Sequence, residues 1–319
     1  MKKIISLVLA VVMIFASCLI FASCGKSAYT IGIVQLAPHP ALDAATQGFQ
    51  DAVKEKLGAD NVTFDLQNAA GESNTCTTIV NSFVSKKVDL IMANATPALT
   101  AAYNATETIP ILGTSITEYG TALNIANFIG TVGGNCSGTS DLAPLDKQAQ
   151  MIIDLFPNAK KVGLLYCSAE PNSLYQVKVV KEYLEAKGLT VTNFSFSDSN
   201  DLRTITERAA DQSDVIYIPT DNTAATGAEI IGGILSQKKV PAIAGEESIC
   251  KGCAVATLSI SYYDLGYKTG LMAAEILKDG KDISKMPIQY VDTFTKKYNK
   301  KMATELGIDI PSDYVEIAD

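Results

Sequence analysis

Apolar and polar positions along this chain follow two alternating rhythms. From Tyr29 to Leu36 nearly every position is apolar, the pattern of a parallel strand buried on both faces. A loop with Gln35 at its start, His39 and two prolines follows. From Ala41 the residues Leu42, Ala45, Phe49, Val53 and Leu57 recur three to four apart, which predicts an amphipathic helix. Pro40 at its start and Gly58 past its end are the expected boundary residues. The rhythm then repeats, with strands predicted over residues 61–67, 88–93 and 109–113 and helices over residues 75–84 and from Thr96-Pro97, Thr96 being the candidate cap. At residues 128–141 glycines and hydroxyl side chains crowd together, so a loop or crossover strand is expected. The pattern resumes with a helix over 145–156, strands over 161–166, 190–196, 215–219 and 241–245, and helices over 173–187, 201–211 and 224–238. Residues 271–277, 288–291 and 298–306 add a helix, a strand and a helix. Two halves with one grammar predict an α/β protein of two doubly wound, mostly parallel lobes.

Open parallel sheets bind ligands at the carboxyl ends of their strands. In the first half those ends carry Gln35, His39, Thr96 and Ser115; in the second they carry Asn172, Ser173, Asp221, Asn222 and Glu246. Hydroxyls and helix N–H groups suit a carboxylate, so Thr96 and Ser115, with Ser173, are expected to receive one. A desolvated carboxylate needs a positive donor, so Asp221 is expected to receive an ammonium, with Glu246 as helper. Thr96, Ser115 and Asp221 are equally placed to serve as ordinary helix caps. The two opposite ends suit an amino acid, and Gln35 and His39 would line its side-chain end or the mouth. Tyr119, Tyr166, Tyr175, Tyr217, Tyr262 and Tyr263 lie near strand ends or crossovers, where a ring can wall a pocket.

The first residues carry a different signal. Lys2 and Lys3 precede a near-continuous apolar stretch from Ile4 to Ala22, and Ala22-Ser23-Cys24 closes it. Small residues before a Cys, with no basic cluster after it, read as a lipoprotein leader: residues 1–23 are a signal peptide, Cys24 is the lipidated first mature residue, and 24–28 form a linker. Removing the leader from 319 residues leaves 296, enough for two lobes. It also removes two lysines and no acid, so the net charge of -8 becomes -10, which disfavours nucleic acid and acidic lipid as partners. Five cysteines remain, Cys76, Cys136, Cys167, Cys250 and Cys253. They are an odd, scattered set, read as small buried residues or one local disulfide; no cofactor or metal is expected.

Several of these stretches together resemble the extracytoplasmic solute-binding proteins of ABC importers, in particular the branch similar to tryptophan or aromatic amino-acid receptors. The resemblance is carried by Ile31-Gly32-Ile33-Val34-Gln35, His39-Pro40-Ala41-Leu42-Asp43 and Gly48-Phe49; by Asn135-Cys136-Ser137-Gly138-Thr139-Ser140-Asp141; by Glu170, Asn172-Ser173 and Gln176; and by Ile218-Pro219-Thr220-Asp221-Asn222, Leu265-Gly266 and Leu306-Gly307-Ile308-Asp309-Ile310-Pro311. It implies a type I periplasmic-binding-protein fold whose lobes close around a small solute and present it to a membrane permease. Ser137, Asn172 and Asn222, inside the matching segments, join the expected ligand-binding set. The resemblance places lobe one at residues 29–138 and 262–286, lobe two at 141–259 and 289–319, and the three-crossing hinge at 139–140, 260–261 and 287–288. It implies a monomer on the outer side of the membrane, held there by its lipid.

The ligand stays open among an aromatic amino acid, another amino acid and an unrelated solute. A sensing lipoprotein that docks on a membrane sensor is a second reading, because lobe closure serves both. A secreted α/β enzyme is a third. The chain has no Gly-x-Gly-x-x-Gly fingerprint, phosphate loop, Gly-x-Ser-x-Gly elbow or His-Glu-x-x-His pair, and His39 has no partner that sequence can place beside it.

Overall fold

A computed structural model describes residues 29–318. The expected signal peptide, Cys24 and the linker lie outside the described residues. The first half runs β1 (Tyr29–Gln35), α1 (Pro40–Leu57), β2 (Val62–Asn68), α2 (Ser73–Lys86), β3 (Leu90–Asn94), α3 (Thr96–Ala105), β4 (Ile111–Ile116), α4 (Tyr119–Leu123) and β5 (Cys136–Ser140). The second runs α5 (Leu145–Leu155), β6 (Lys161–Cys167), α6 (Pro171–Ala186), β7 (Thr190–Phe196), α7 (Leu202–Gln212), β8 (Val215–Ile218), α8 (Asn222–Thr226), α9 (Ala228–Lys238), β9 (Ala242–Ala244), α10 (Glu247–Cys253) and β10 (Ala256–Ser259). The chain ends with α11 (Tyr262–Asp279), β11 (Gln289–Tyr290), β12 (Thr295–Tyr298), α12 (Lys300–Leu306) and β13 (Val315–Glu316).

Two sheets result. The first has the order β11-β5-β4-β3-β1-β2 and the second β13-β12-β10-β9-β8-β6-β7. All pairs are parallel except β10 with β12. Each sheet starts from an inner strand, adds the next strand on one side and then crosses to the other. Switch points therefore fall between β1 and β3 and between β6 and β8, and the crevices that hold ligands in such sheets open at the carboxyl ends there.

Burial explains why these segments take these forms. Ile31, Ile33 and Val34 of β1 are fully enclosed, while α1 turns Leu42, Ala45, Phe49 and Val53 inward. Late in the chain, α11 returns to the first lobe and lies along α1. A Cβ on Gly266 would meet the Ala45 carbonyl oxygen at 1.9 Å, and one on Gly48 would meet that of Tyr263 at 2.1 Å. The two backbones approach so closely that only glycine fits, which gives the Gly48-Phe49 and Leu265-Gly266 motifs a packing role.

Several sequence expectations need correction. Thr96 does not cap α3: Ala95 precedes it with a φ of 88°, and Thr96 is already helical. The strand expected at 109–113 begins later and takes in Thr114 and Ser115. The single helix expected over 224–238 breaks at Gly227, where a Cβ would stand 2.2 Å from Leu202 Cδ2. Tyr298 closes a strand instead of opening a helix. Thr139 and Ser140, expected as a crossing, lie inside the first sheet, and Gln289 and Tyr290 pair directly with them. The chain therefore passes between the sheets at residues 141–144, 260–261 and 291–294. All five described cysteines are free and buried.

Candidate functional site

The carboxyl ends of the two sheets face each other across a cleft with about 290 Å³ free of protein atoms. The first lobe contributes His39, Ala41, Leu42, Ser115, Thr117 and Asp141; the second contributes Asn172, Thr220, Asp221, Asn222, Ala225 and Glu246; and Tyr262, the first residue of α11, completes it. The lining contains three carboxylates and no lysine or arginine. The site is built to meet positive charge.

Local backbone geometry aims the first-lobe groups. The pairing of β4 with β5 shifts register between Gly113 and Ile116, and Ser115 inside that bulge has a φ of 56°. Ala95, at the end of neighbouring β3, lies in a region that essentially only glycine adopts freely. Backbone strain of this kind gathers at ligand sites, where the surrounding fold holds it in place.

Hydrogen bonds separate residues that hold the fold from residues with capacity to spare. Asp221 caps α8: its Oδ1 accepts from Ala224 N at 2.8 Å, and its Oδ2 accepts from Cys167 N and Ser173 Oγ at 2.7 Å each. Glu246 caps α10 by accepting from Ser248 N, Ser248 Oγ and Ile249 N, all at 2.6 Å. Glu170, behind the cleft wall, accepts from the N–H groups of Asn222 and Thr223 at 3.0 and 2.9 Å. By contrast, six buried side-chain polar atoms have no partner among the described residues, and four belong to cleft residues: His39 Nδ1, Ser115 Oγ, Asp141 Oδ1 and Asn172 Oδ1. Buried polar groups are nearly always satisfied, so four exceptions in one cleft make it the candidate site.

Burial also shifts two of the acids. Burial, and then the negative charge of Glu170, push Asp221 well above the usual carboxylate range. Burial pushes Asp141 up to about 6 against the opposing effect of the Tyr262 and Thr117 side chains.

Six of the ten expected ligand residues line the cleft: His39, Ser115, Asn172, Asp221, Asn222 and Glu246. The structure does not bring the other four there. Gln35 donates to Ala37 O and Asp43 Oδ1 and accepts from Thr46 Oγ1, which uses its amide inside the first lobe. Ser137 donates to Met286 O in the lobe interior, Ser173 is committed to Asp221, and Thr96 is buried at the start of α3. Of the six tyrosines offered as walls, only Tyr262 lines the cleft; Tyr119, Tyr166 and Tyr217 are core residues and Tyr263 is exposed. Sequence reasoning missed Thr117, Asp141 and Thr220 as site residues. An available signal for Asp141 was an acid directly after the strand of small and hydroxyl residues that precedes Pro144.

Comparison with known proteins places this geometry. The family described as ABC transporter substrate binding protein matches residues 30–319. A tyrosine-binding protein of Clostridioides difficile (strain R20291) is 38% identical over 269 residues, which are 84% of this chain and 77% of that protein. The structure of an ABC domain in complex with L-Trp from Streptococcus pneumonia has a TM-score of 0.85 at 33% identity, covering 90% of this chain and 97% of the other. A ligand-free, open structure of a substrate binding protein with adhesive properties from Clostridium difficile has a TM-score of 0.69 at 36% identity, covering 91% and 99%. The two-lobed arrangement is the type I fold of periplasmic binding proteins.

Proposed function

The chain belongs to the ABC transporter substrate binding protein family, and we propose that it captures an amino acid with an aromatic side chain, closes its lobes over it and delivers it to a membrane permease. The observation that carries this reading is the set of four partnerless polar atoms, contributed by both lobes to one cleft. A solute that uses atoms of both lobes binds the closed form better than the open one, and only such a difference can drive closure. The rings of His39 and Tyr262 are the aromatic surfaces at this cleft. Relatives whose names specify tyrosine and L-Trp support the same ligand class.

Lobe movement is supported by the two structural likenesses. The L-Trp complex and the ligand-free open protein are about equally identical to this chain, yet the superposition falls from 0.85 to 0.69. Displacement of two intact lobes produces such a fall, so we assign the described form to the closed state. The protein binds its solute without transforming it, and it works outside the cytoplasm as a monomer tethered through Cys24.

Calorimetry with Tyr, Trp, Phe and Leu, paired with small-angle scattering, tests the proposal. Aromatic amino acids should bind most tightly and shrink the radius of gyration. The chain contains no tryptophan, so any indole signal reports the ligand alone. If no amino acid binds the folded, ligand-stripped protein, the reading fails. For the tether, Cys24→Ala should move the protein from the membrane to the soluble extracellular fraction; a variant that stays membrane-bound overturns the anchor.

A further inference from the structure

Taking the amino-acid reading as its basis, we propose that Asp141 receives the ligand's ammonium group, with Tyr262 as its positioning residue, and that this contact is where ligand binding engages the connection between the lobes. Asp221, favoured by sequence position, is the less suitable acid. Both of its oxygens already accept from buried donors, two of them main-chain N–H groups that would be left unpaired if it turned away. Glu246 and Glu170 are committed in the same manner to the starts of α10 and α8. Asp141 differs. It is 5% exposed and lines the cleft; its Oδ2 accepts from Tyr262 Oη at 3.0 Å, and its Oδ1, with the Thr117 side chain close by, meets no donor in hydrogen-bond geometry.

A buried carboxylate with one oxygen free calls for a charged donor, and the cleft supplies no lysine or arginine. A primary ammonium brings the charge and three N–H bonds. Ser115 Oγ and Asn172 Oδ1, also unpartnered in the cleft, offer acceptors for the other two.

Asp141 follows β5 directly, at the first passage between the lobes, and Tyr262 opens α11 just after the second. Their hydrogen bond joins residues 121 positions apart and ties two of the three passages together. A ligand held by Asp141 therefore bears on the segments about which the lobes move.

Protonation should compete with the ligand. The titratable groups around Asp141 are Tyr262, Glu246, His39 and Asp221 at the cleft and Tyr119 behind it. Since burial lifts Asp141 to about 6, ammonium binding near that pH should expel a proton.

The test uses the full mature chain, L-tyrosine, and the analogue in which hydrogen replaces the amino group. Asp141→Asn should weaken L-tyrosine binding about 30-fold or more, while the deaminated analogue binds wild type and variant alike. L-tyrosine affinity of the wild type should fall between pH 7.5 and 5, and that of Asp141→Asn should fall much less, Asp221 being the raised acid that remains in the cleft. Tyr262→Phe should move the midpoint of the wild-type profile upward, because the ionised carboxylate loses a donor; a packing role alone would leave it in place. Should the Asn variant not fold, calorimetry of the wild type in buffers of different ionisation enthalpy still decides: proton release with L-tyrosine and none with the analogue supports the proposal, and no release with either overturns it. L-tyrosine binding by Asp141→Asn within about threefold of wild type overturns this assignment alone. Failure of the wild type to bind any amino acid overturns the functional reading with it.

Discussion

The loops at the strand ends of the two lobes contain similar residues and use them differently. In the second lobe Glu170, Asp221 and Glu246 are filled by donors, among them the main-chain N–H groups at the starts of α8 and α10. In the first lobe Ser115, Asp141 and His39 keep atoms unpartnered, and Ser115 sits in a strained bulge. A helix start exposes N–H groups that must be satisfied, and a nearby carboxylate is their strongest acceptor. The acids of the second lobe thus build the wall that the acid of the first lobe works against. An acid at a strand end is informative about ligand only after its hydrogen bonds have been counted.

The sharpest way to break this contrast is Asp221→Ala. It would orphan Cys167 N, Ala224 N and Ser173 Oγ, all at a buried position. Each orphaned donor costs about 1–3 kcal/mol, so a loss of about 3–5 kcal/mol in unfolding free energy is expected after partial rescue by water. Ser115→Ala removes a hydroxyl that has no protein partner and should leave stability within about 0.5 kcal/mol of wild type. Urea unfolding of both variants is the measurement. Equal losses would erase the distinction between the lobes.

A smaller effect should appear in the pH dependence of the ligand-free protein. Asp141 lies at about 6 in the folded state against 3.8 as a free side chain, and Asp221 is raised as well. Between these values the folded protein holds a proton that the unfolded chain has released. Stability from Asp141 is therefore intact below pH 4 and is lost as pH rises through about 6, with a slope of up to about 1.4 kcal/mol per pH unit. The acids that are lowered, Glu55, Asp65, Asp214, Asp282 and Asp313, have their folded titration moved beneath this window. Chemical unfolding from pH 4.5 to 6.5 should show stability falling, and Asp141→Asn should remove part of the slope. A rise across that range would mean that neither acid is desolvated as the cleft geometry requires.

Much of the fold was legible because it is written locally. The apolar run of β1 and the helical spacing of α1 are features of neighbouring residues, and the segment from Thr190 to Phe196 is a strand with the expected bounds. What escaped depends on distant contacts. Leu202 leaves no room for a Cβ at Gly227, where the helix breaks, and β11 is two residues long and exists through its pairing with Thr139 and Ser140. The site divides in the same way. Strand-end position and the family resemblance together brought out six lining residues, yet they selected Asp221 and passed over Asp141, because three donors that occupy one acid and a tyrosine 121 positions from the other cannot be seen in sequence.

The smallest expected effect concerns the hydrogen bond that spans the cleft. His39 Nε2 lies 3.3 Å from Asn222 Oδ1, joining the loop before α1 to the start of α8. The amide of Asn222 is oriented by its Nδ2, which donates to Glu170 Oε2 at 2.6 Å, so its oxygen is the acceptor facing His39. The neutral imidazole must then carry its proton on Nε2, which leaves the partnerless Nδ1 as an acceptor at the cleft. A bond this long contributes about 0.5–1 kcal/mol, and it exists only while the lobes are together. His39→Ala should therefore weaken ligand binding about two- to fivefold through the closed population alone. Unfolding free energy should stay near that of wild type, and the ligand-free scattering profile should shift toward a larger radius of gyration. His39→Gln, whose amide can donate to the same oxygen, should recover part of the loss. If His39→Ala leaves both affinity and profile unchanged, the contact follows closure without helping to hold it, and the closed form depends on ligand contacts such as that to Asp141.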